Sequence, residues 1–493
     1  MTAVEPTIVT SFIPPFQGYA ALLPLILLLI AGFWALFANL LPGKDRGASF
    51  VGLKCSVLAA LGYALIEPGT TLFGGRYFYS FDARFAAVAI CILAALWCLW
   101  TLGSGRGRTR EAVAFAMMST IGATIAVAAT DLIVLVLALE LATMPAYVLV
   151  GYRRYRIKGL EGAMKYFLLS VLTTLIMLYG MSFLVGLSAS TTFAGLSGLP
   201  DTPLTLIAVG MTLLGLFAKL SAAPFHWWAP DAYEGAESWA LAFAAIIPKV
   251  AVAVVLVRFT FFASHAVQAV SQLVMIMAIL SMIVGSFAAL MQVNIRRLVA
   301  YSGVSSAGFI LFAAAVMAMG GQQAQFAFNA AIIYVIAAAL ASMGVLLISA
   351  HEGGKVADLS GLSERKPFFA WGMALLALSL IGVPPTLGFF AKFNIFLAAI
   401  SAAQYAMVVM AVIMAVVSAF YYVRLIRASF FGETYQKAPL DVDESSDKWQ
   451  SLAPKSEKER YSICATVAIA LIVLATLSLG VLYNPLMTFL MGS

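Results

Sequence analysis

The sequence predicts an all-α polytopic membrane protein with about 14 transmembrane helices, and three observations carry that expectation. Of the 493 residues, 63% are hydrophobic and only 10% are charged, a balance outside the range of ordinary soluble domains. Apolar runs lie at approximately 18–40, 49–66, 82–102, 112–129, 131–150, 162–187, 203–223, 238–262, 266–291, 297–319, 324–349, 368–400, 405–430 and 462–484. Most of them approach or exceed the roughly 20 residues that carry a helix across a bilayer. Finally, Pro224 closes the run holding Lys219, and Pro384-Pro385 interrupts the run holding Lys392. Proline lacks a backbone donor and disfavours helical geometry in the residue before it, so both runs are expected to be broken helices.

Residues 1–111 are read as an N-terminal three-helix segment, 112–262 as a first five-helix repeat, 263–430 as a second, and 431–493 as a cytoplasmic loop and C-terminal helix. The broken member stands fourth in each repeat. A unit with an odd number of spans starts its successor from the other side of the membrane, so adjacent copies are inverted, the plan of many transporters. The start, Met1 to Pro15, carries no basic n-region or small-residue cleavage site, so the first run is expected to be a retained span.

Orientation follows from Lys and Arg. Lys44, Arg46, Arg106, Arg108, Arg110, Arg153, Arg154, Arg156, Lys158, Arg296, Arg297, Lys355, Arg365, Lys366 and the basic residues between Arg424 and Arg460 fall on one side, against Arg76, Arg84 and Arg258 on the other. Both termini are therefore expected on the non-cytoplasmic side. The same rule accounts for the net charge of +7 without nucleic acid. Cys55, Cys91, Cys98 and Cys464 form no CxxC pair, and His226, His265 and His351 show no ligand spacing, so neither a metal nor a cofactor is expected in this chain. Gly103 to Gly107 reads as a basic loop rather than a phosphate loop, and 433–460 as a solvated polar loop.

Four lysines remain at membrane depth, Lys165, Lys219, Lys249 and Lys392, while Lys54 lies near a helix start and can snorkel. A lysine at the centre of a membrane helix costs roughly 2.5–3.5 kcal/mol, so it normally faces a polar cavity and serves a function. Glu140 is the acidic residue well inside an apolar run and the natural partner for a buried amine. Alone in hydrocarbon each would lose its charge, whereas a hydrated pair loads and releases a proton. Lys165 lies close enough to a loop to snorkel, and His226, just past the break, either relays protons or caps a half-helix. The bland alternative is a membrane spacer in which the lysines only fix helix packing.

These residues also carry a resemblance. Lys165 within Glu-Gly-Ala-Met-Lys-Tyr-Phe-Leu, Lys219 through Pro-Phe-His-Trp-Trp-Ala-Pro-Asp-Ala-Tyr-Glu-Gly-Ala, Pro248-Lys249, Arg296-Arg297-Leu-Val-Ala-Tyr-Ser, and Gly-Val-Pro-Pro-Thr-Leu-Gly-Phe-Phe-Ala-Lys392-Phe together resemble the subunit N family of respiratory complex I, over nearly the whole chain. The resemblance implies antiporter-like five-helix repeats and a proton-translocating subunit of an NADH:quinone oxidoreductase in a bacterial cytoplasmic membrane. Its partners would be the other membrane-arm subunits, the lipid bilayer and protons. By motif, Glu140 and Lys219 would form the acid–lysine pair of the first half-channel, Lys249 the central link and Lys392 the proton-handling residue of the second half. The alternatives that share this fold are an Mrp-type cation/proton antiporter subunit and a related complex fed by another electron donor. Two positions depart from the family pattern: Glu237-Ser238, where a proline and a small residue are usual, and Ser306, where a histidine is usual.

Overall fold

The computed structural model describes residues 20–37, 46–104, 110–153, 156–196, 198–267, 269–321, 323–432 and 463–483. The expected basic positions Lys44, Arg106, Arg108 and Arg154, the start of the chain and the loop at 433–460 lie outside the described residues. Within them the chain is a helical bundle: α1 (Leu23–Phe37), α2 (Arg46–Leu65), α3 (Phe81–Ser104), α4 (Arg110–Ala128), α5 (Leu132–Val150) and α6 (Ile157–Ser188) lead to the first break. There α7 (Pro203–Leu220) is followed by the short α8 (Trp228–Gly235), then α9 (Ser238–Ala244), α10 (Ile247–Ala266), α11 (Ala269–Leu290), α12 (Ile295–Ala318) and α13 (Ala324–Glu352). The second broken helix is α14 (Pro367–Ile381) with α15 (Leu387–Ser401), and α16 (Tyr405–Phe431) and α17 (Ile463–Val481) complete the bundle. Each of the fourteen apolar runs falls on one of these helices or helix pairs, and among the described residues twelve helical stretches have the length and apolarity to cross a membrane.

Local chemistry sets the helix ends. Asp131 caps α5, accepting from the backbone N–H of Ile133 at 2.9 Å and Val134 at 3.2 Å. This occupies donors that helix geometry leaves free. Thr202 caps α7 just before Pro203, and Asn294 caps α12. At the far end α7 stops where Ser221 turns left-handed, φ 59°, and α14 stops at Gly382, φ 92°. Pro224 and Pro384-Pro385 follow directly, so both breaks fall where the prolines place them.

Burial sorts the bundle into centre and rim. Along Ser238–Ala266 94% of the most apolar window is buried, against 33% on α16 and α17. The rim helices α6 and α16 present Leu168, Leu172, Leu175, Val409, Val416 and Phe420 outward, as a lipid- or subunit-facing surface requires. Close approach at the second break depends on glycine. A Cβ on Gly388 would stand 2.9 Å from the Ser379 carbonyl carbon on α14, and one on Gly480 of α17 would stand 2.8 Å from the Leu387 nitrogen. Tyr483 extends the α17 contact, its ring stacked on Phe390 at 5.4 Å.

The structure adds one element to the sequence reading and corrects it in two places. Within the all-α bundle, β1 (Thr70–Leu72) and β2 (Tyr77–Tyr79) form a short antiparallel hairpin pairing Thr70 with Tyr79 and Leu72 with Tyr77, turned by Gly74 and Gly75 at positive φ. The run at 238–262 is not one continuous helix. Pro248 cannot donate to the carbonyl one turn earlier, and a turn at Ala245 and Ile246 separates α9 from α10. Arg258 is not a loop residue; it is buried inside α10, donates to the carbonyl of Val127 and lies 4.0 Å from Asp82.

Candidate functional site

The first break holds an ion pair. Lys219, in the last turn of α7, donates from Nζ to Glu140 Oε1 of α5 at 2.8 Å, with the lysine side chain fully covered and the glutamate 18% exposed. Thr174 of α6 donates to the same carboxylate oxygen at 2.8 Å, and Lys219 also reaches Ser170 Oγ at 3.4 Å. Ser170 is 2.5 Å from the Tyr147 hydroxyl, which donates to Thr143 at 3.1 Å. Ser170 and Thr174 are one turn apart on α6, and Thr143 and Tyr147 one turn apart on α5, so two helices present matching polar faces to the pair. Trp228 at the head of α8 closes the break by donating from Nε1 to the Ala218 carbonyl at 3.0 Å, while its ring stacks flat on Tyr166 at 3.9 Å.

Lys249 sits differently. It occupies the first turn of α10, and its Nζ is buried with no hydrogen-bond partner among the described residues. The Tyr233 ring lies 5.2 Å away, and Lys249 lines a cavity of about 60 Å³ whose wall is largely apolar, with Leu220, Val299 and Ile310 beside Tyr233, Gly303, Ser306 and Ser342. That exceeds the roughly 10–15 Å³ a single water needs, and Tyr233, Ser306 and Ser342 are the hydroxyl-bearing residues on its wall. A Cβ at Gly303 would stand 3.2 Å from Nζ, so the amine would have to shift by a few tenths of an ångström to admit it.

At the second break Lys392 of α15 reaches back to the end of α14 and donates to the carbonyls of Leu380 at 2.8 Å and Ile381 at 2.9 Å. The last carbonyls of a helix lack intrahelical partners and carry the negative end of its dipole, so a buried ammonium is stabilised there without a carboxylate. The Phe309 ring of α12 covers its other side at 5.1 Å.

The remaining candidates lie apart from these three. Lys165 is 43% exposed and ion-paired with Glu161 at 2.7 Å and Asp231 at 2.8 Å, unlike the three lysines above. Arg297 joins the same network through Asp231 at 3.3 Å and Glu234 at 2.7 Å. His226 keeps Nδ1 buried without a partner among the described residues, and its ring lies 6.2 Å from that of Tyr301. Of the two departures, Glu237 is ion-paired with Arg156 at 2.7 Å and Arg153 at 3.5 Å, and Ser306 borders the Lys249 cavity. The sequence reading missed Thr143, Tyr147, Ser170 and Thr174, whose one-turn spacing within apolar helices is the signal that finds them. Among the described residues no cluster of three or more His, Cys, Asp or Glu has metal-binding geometry.

Two broken helices and three buried lysines in three different electrostatic settings define an antiporter-like membrane subunit. The model of the family described as NADH:quinone oxidoreductase/Mrp antiporter, TM, matches residues 129–418. NADH-quinone oxidoreductase subunit N of Rhodospirillum rubrum is 36% identical over 441 residues, 85% of this chain and 89% of the relative. Among solved structures, a chain of respiratory complex I from Thermus thermophilus superposes with a TM-score of 0.76 at 26% identity, covering 94% of this chain and 97% of that one. A chain of the Mrp complex from Dietzia sp. DQ12-45-1b superposes at 0.78 with 20% identity and 96% coverage of both, which establishes the common fold. The chain belongs to the NADH:quinone oxidoreductase/Mrp antiporter family and, within it, to the subunit N family.

Proposed function

We propose that this chain translocates protons as a membrane-arm subunit of a complex I-type NADH:quinone oxidoreductase, driven by redox chemistry in other subunits and carrying no electrons or cofactor itself. In this reading Glu140 and Lys219 load protons in the first half, Lys249 passes them through the central cavity and Lys392 releases them in the second half. The regions 112–262 and 263–430 act as inverted repeats across the bacterial cytoplasmic membrane, with both termini on the non-cytoplasmic side.

The observation that carries the proposal is Lys249. A packing lysine finds a carboxylate or a carbonyl, because a buried charge left unpaired costs several kcal/mol. Lys249 has neither among the described residues and lines a cavity of about 60 Å³. Such an amine changes protonation readily, which is what a relay needs and a spacer does not. Lys165 and His226 are assigned to the approach to the first half, through the Asp231 network and the break respectively. The test is proton translocation per electron pair in vesicles holding the whole complex. Lys249→Ala is expected to assemble and lose most pumping, and a well-assembled variant that pumps normally refutes the reading.

A further inference from the structure

We propose that Phe309 is a dry gate between the Lys249 cavity and Lys392, with Ser306 and Tyr334 as the hydroxyl approach on the cavity side. The proposal rests on the proton-path reading above and adds to it the element that stops free flow between two of its stations.

The geometry places one ring in contact with both sides. Ser306 borders the Lys249 cavity and lies beside Tyr334 of α13. The Tyr334 ring lies 5.8 Å from that of Phe309, which stands one turn beyond Ser306 on α12. Lys392 Nζ is 5.1 Å from the Phe309 ring, and Phe396 of α15 packs on the ring at 6.3 Å. Phe309 is 1% exposed, so bulk water does not reach the ring. Hydroxyls and waters pass protons because each oxygen accepts one while giving up its own. A benzene ring has neither lone pair nor exchangeable proton, and Lys392 directs hydrogen bonds to Leu380 and Ile381, so a proton reaching Tyr334 goes no further while the ring stays in place.

The ring also responds to the charge it guards. An ammonium over an aromatic face attracts it, and a neutral amine does so far less. With Lys392 protonated the ring is held and the gate is shut. Once Lys392 releases its proton the attraction is lost, the ring can swing and water can bridge the gap. The transfer then balances: the Lys249 ammonium becomes an amine, the Lys392 amine becomes an ammonium, and Ser306, Tyr334 and the waters end neutral. Reprotonation draws the ring back and blocks return.

The test uses the whole complex in sealed vesicles, with passive proton leak under an imposed pH gradient measured separately from pumping. Phe309→Ala is expected to raise passive leak several-fold and lower protons retained per electron pair, with electron transfer preserved. Phe309→Leu, which keeps an apolar plug without the aromatic face, is expected to stay tight at rest but leak during turnover. Adding Lys249→Ala or Tyr334→Phe to Phe309→Ala is expected to suppress the leak if the proton takes this route. Phe309→Val leaves a smaller hole and gives the same readout if the alanine variant assembles poorly. An assembled Phe309→Ala or Phe309→Val complex no leakier than the parent overturns the gate, as does a leak unchanged by Lys249→Ala. Neither result touches the proton-path reading, which is tested separately by Lys249→Ala in the parent.

Discussion

Lys392 belongs to the second half of a broken helix, yet it donates to the carbonyl of Leu380 in the first half, at 2.8 Å. One side chain thus both satisfies the end of α14 and ties the two halves across Pro384-Pro385. Lys219 is held instead by a carboxylate from another helix, Glu140. The two breaks look alike in sequence and stabilise their lysines by different means.

That difference sets the response at the second break. Lys392→Arg keeps the positive charge at the helix end but does not release a proton at accessible pH, so the complex is expected to assemble and pump poorly. Lys392→Glu sets an acceptor-only carboxylate against the carbonyls of Leu380 and Ile381, so it is expected to assemble worse than Lys392→Arg. Subunit content and protons per electron pair, measured together, check both, and full pumping by the arginine variant removes Lys392 from the path.

At the first break, Lys219→Ala strands Glu140, and losing one partner of a buried pair costs about 3–5 kcal/mol. The double variant Lys219→Met with Glu140→Gln is expected to recover assembly without recovering pumping. Complex yield on native gels separates the two effects. If the double variant restores pumping as well, the pair is structural.

Lys249 behaves in the opposite way. Lys249→Met removes an ammonium that has no partner to leave behind, so the thermal stability of the complex is expected to hold or rise while translocation falls. Loss of stability with unchanged pumping would mark Lys249 as a packing residue.

Gly303→Ser puts a hydroxyl beside the Lys249 ammonium, where a Cβ alone stands 3.2 Å from Nζ. It supplies a fixed partner and takes volume from the cavity. Pumping is expected to slow several-fold with assembly retained, and a variant as fast as the parent shows that the open side of Lys249 is dispensable.

Topology has its own check. Reporters fused after Arg110, Arg156 and Arg365 are expected to respond as cytoplasmic, and those after Ser190 and Gly321 as the opposite face. A cytoplasmic response from Ser190 overturns the orientation.

The span pattern and both breaks were legible because run length and proline act locally. The buried lysines were legible because charge in an apolar run is conspicuous. Partner choice was not: Glu140 had two candidate lysines, Lys219 and Lys249, and only the packing of α5, α6 and α7 assigns it to Lys219 while leaving Lys249 beside a cavity. The same limit applies to Arg258 and Lys165. Arg258 sits near the end of an apolar run and reads as a loop cation, yet neighbouring helices bury it; Lys165 sits near the start of one and pairs with Asp231, a partner the sequence does not point to. The hairpin was missed because three-residue strands are too short to show alternation.

The seat of Gly480 against Leu387 has a consequence for biogenesis. Among the described helices α17 comes last in chain order, so the ribosome delivers α14 and α15 to the membrane before the helix that covers their junction. Until α17 docks, one flank of the Lys392 break is bare. A nascent chain stalled after α16 would therefore hold an unfinished second half, and a bulky side chain at Gly480 would be felt at a lysine it never touches.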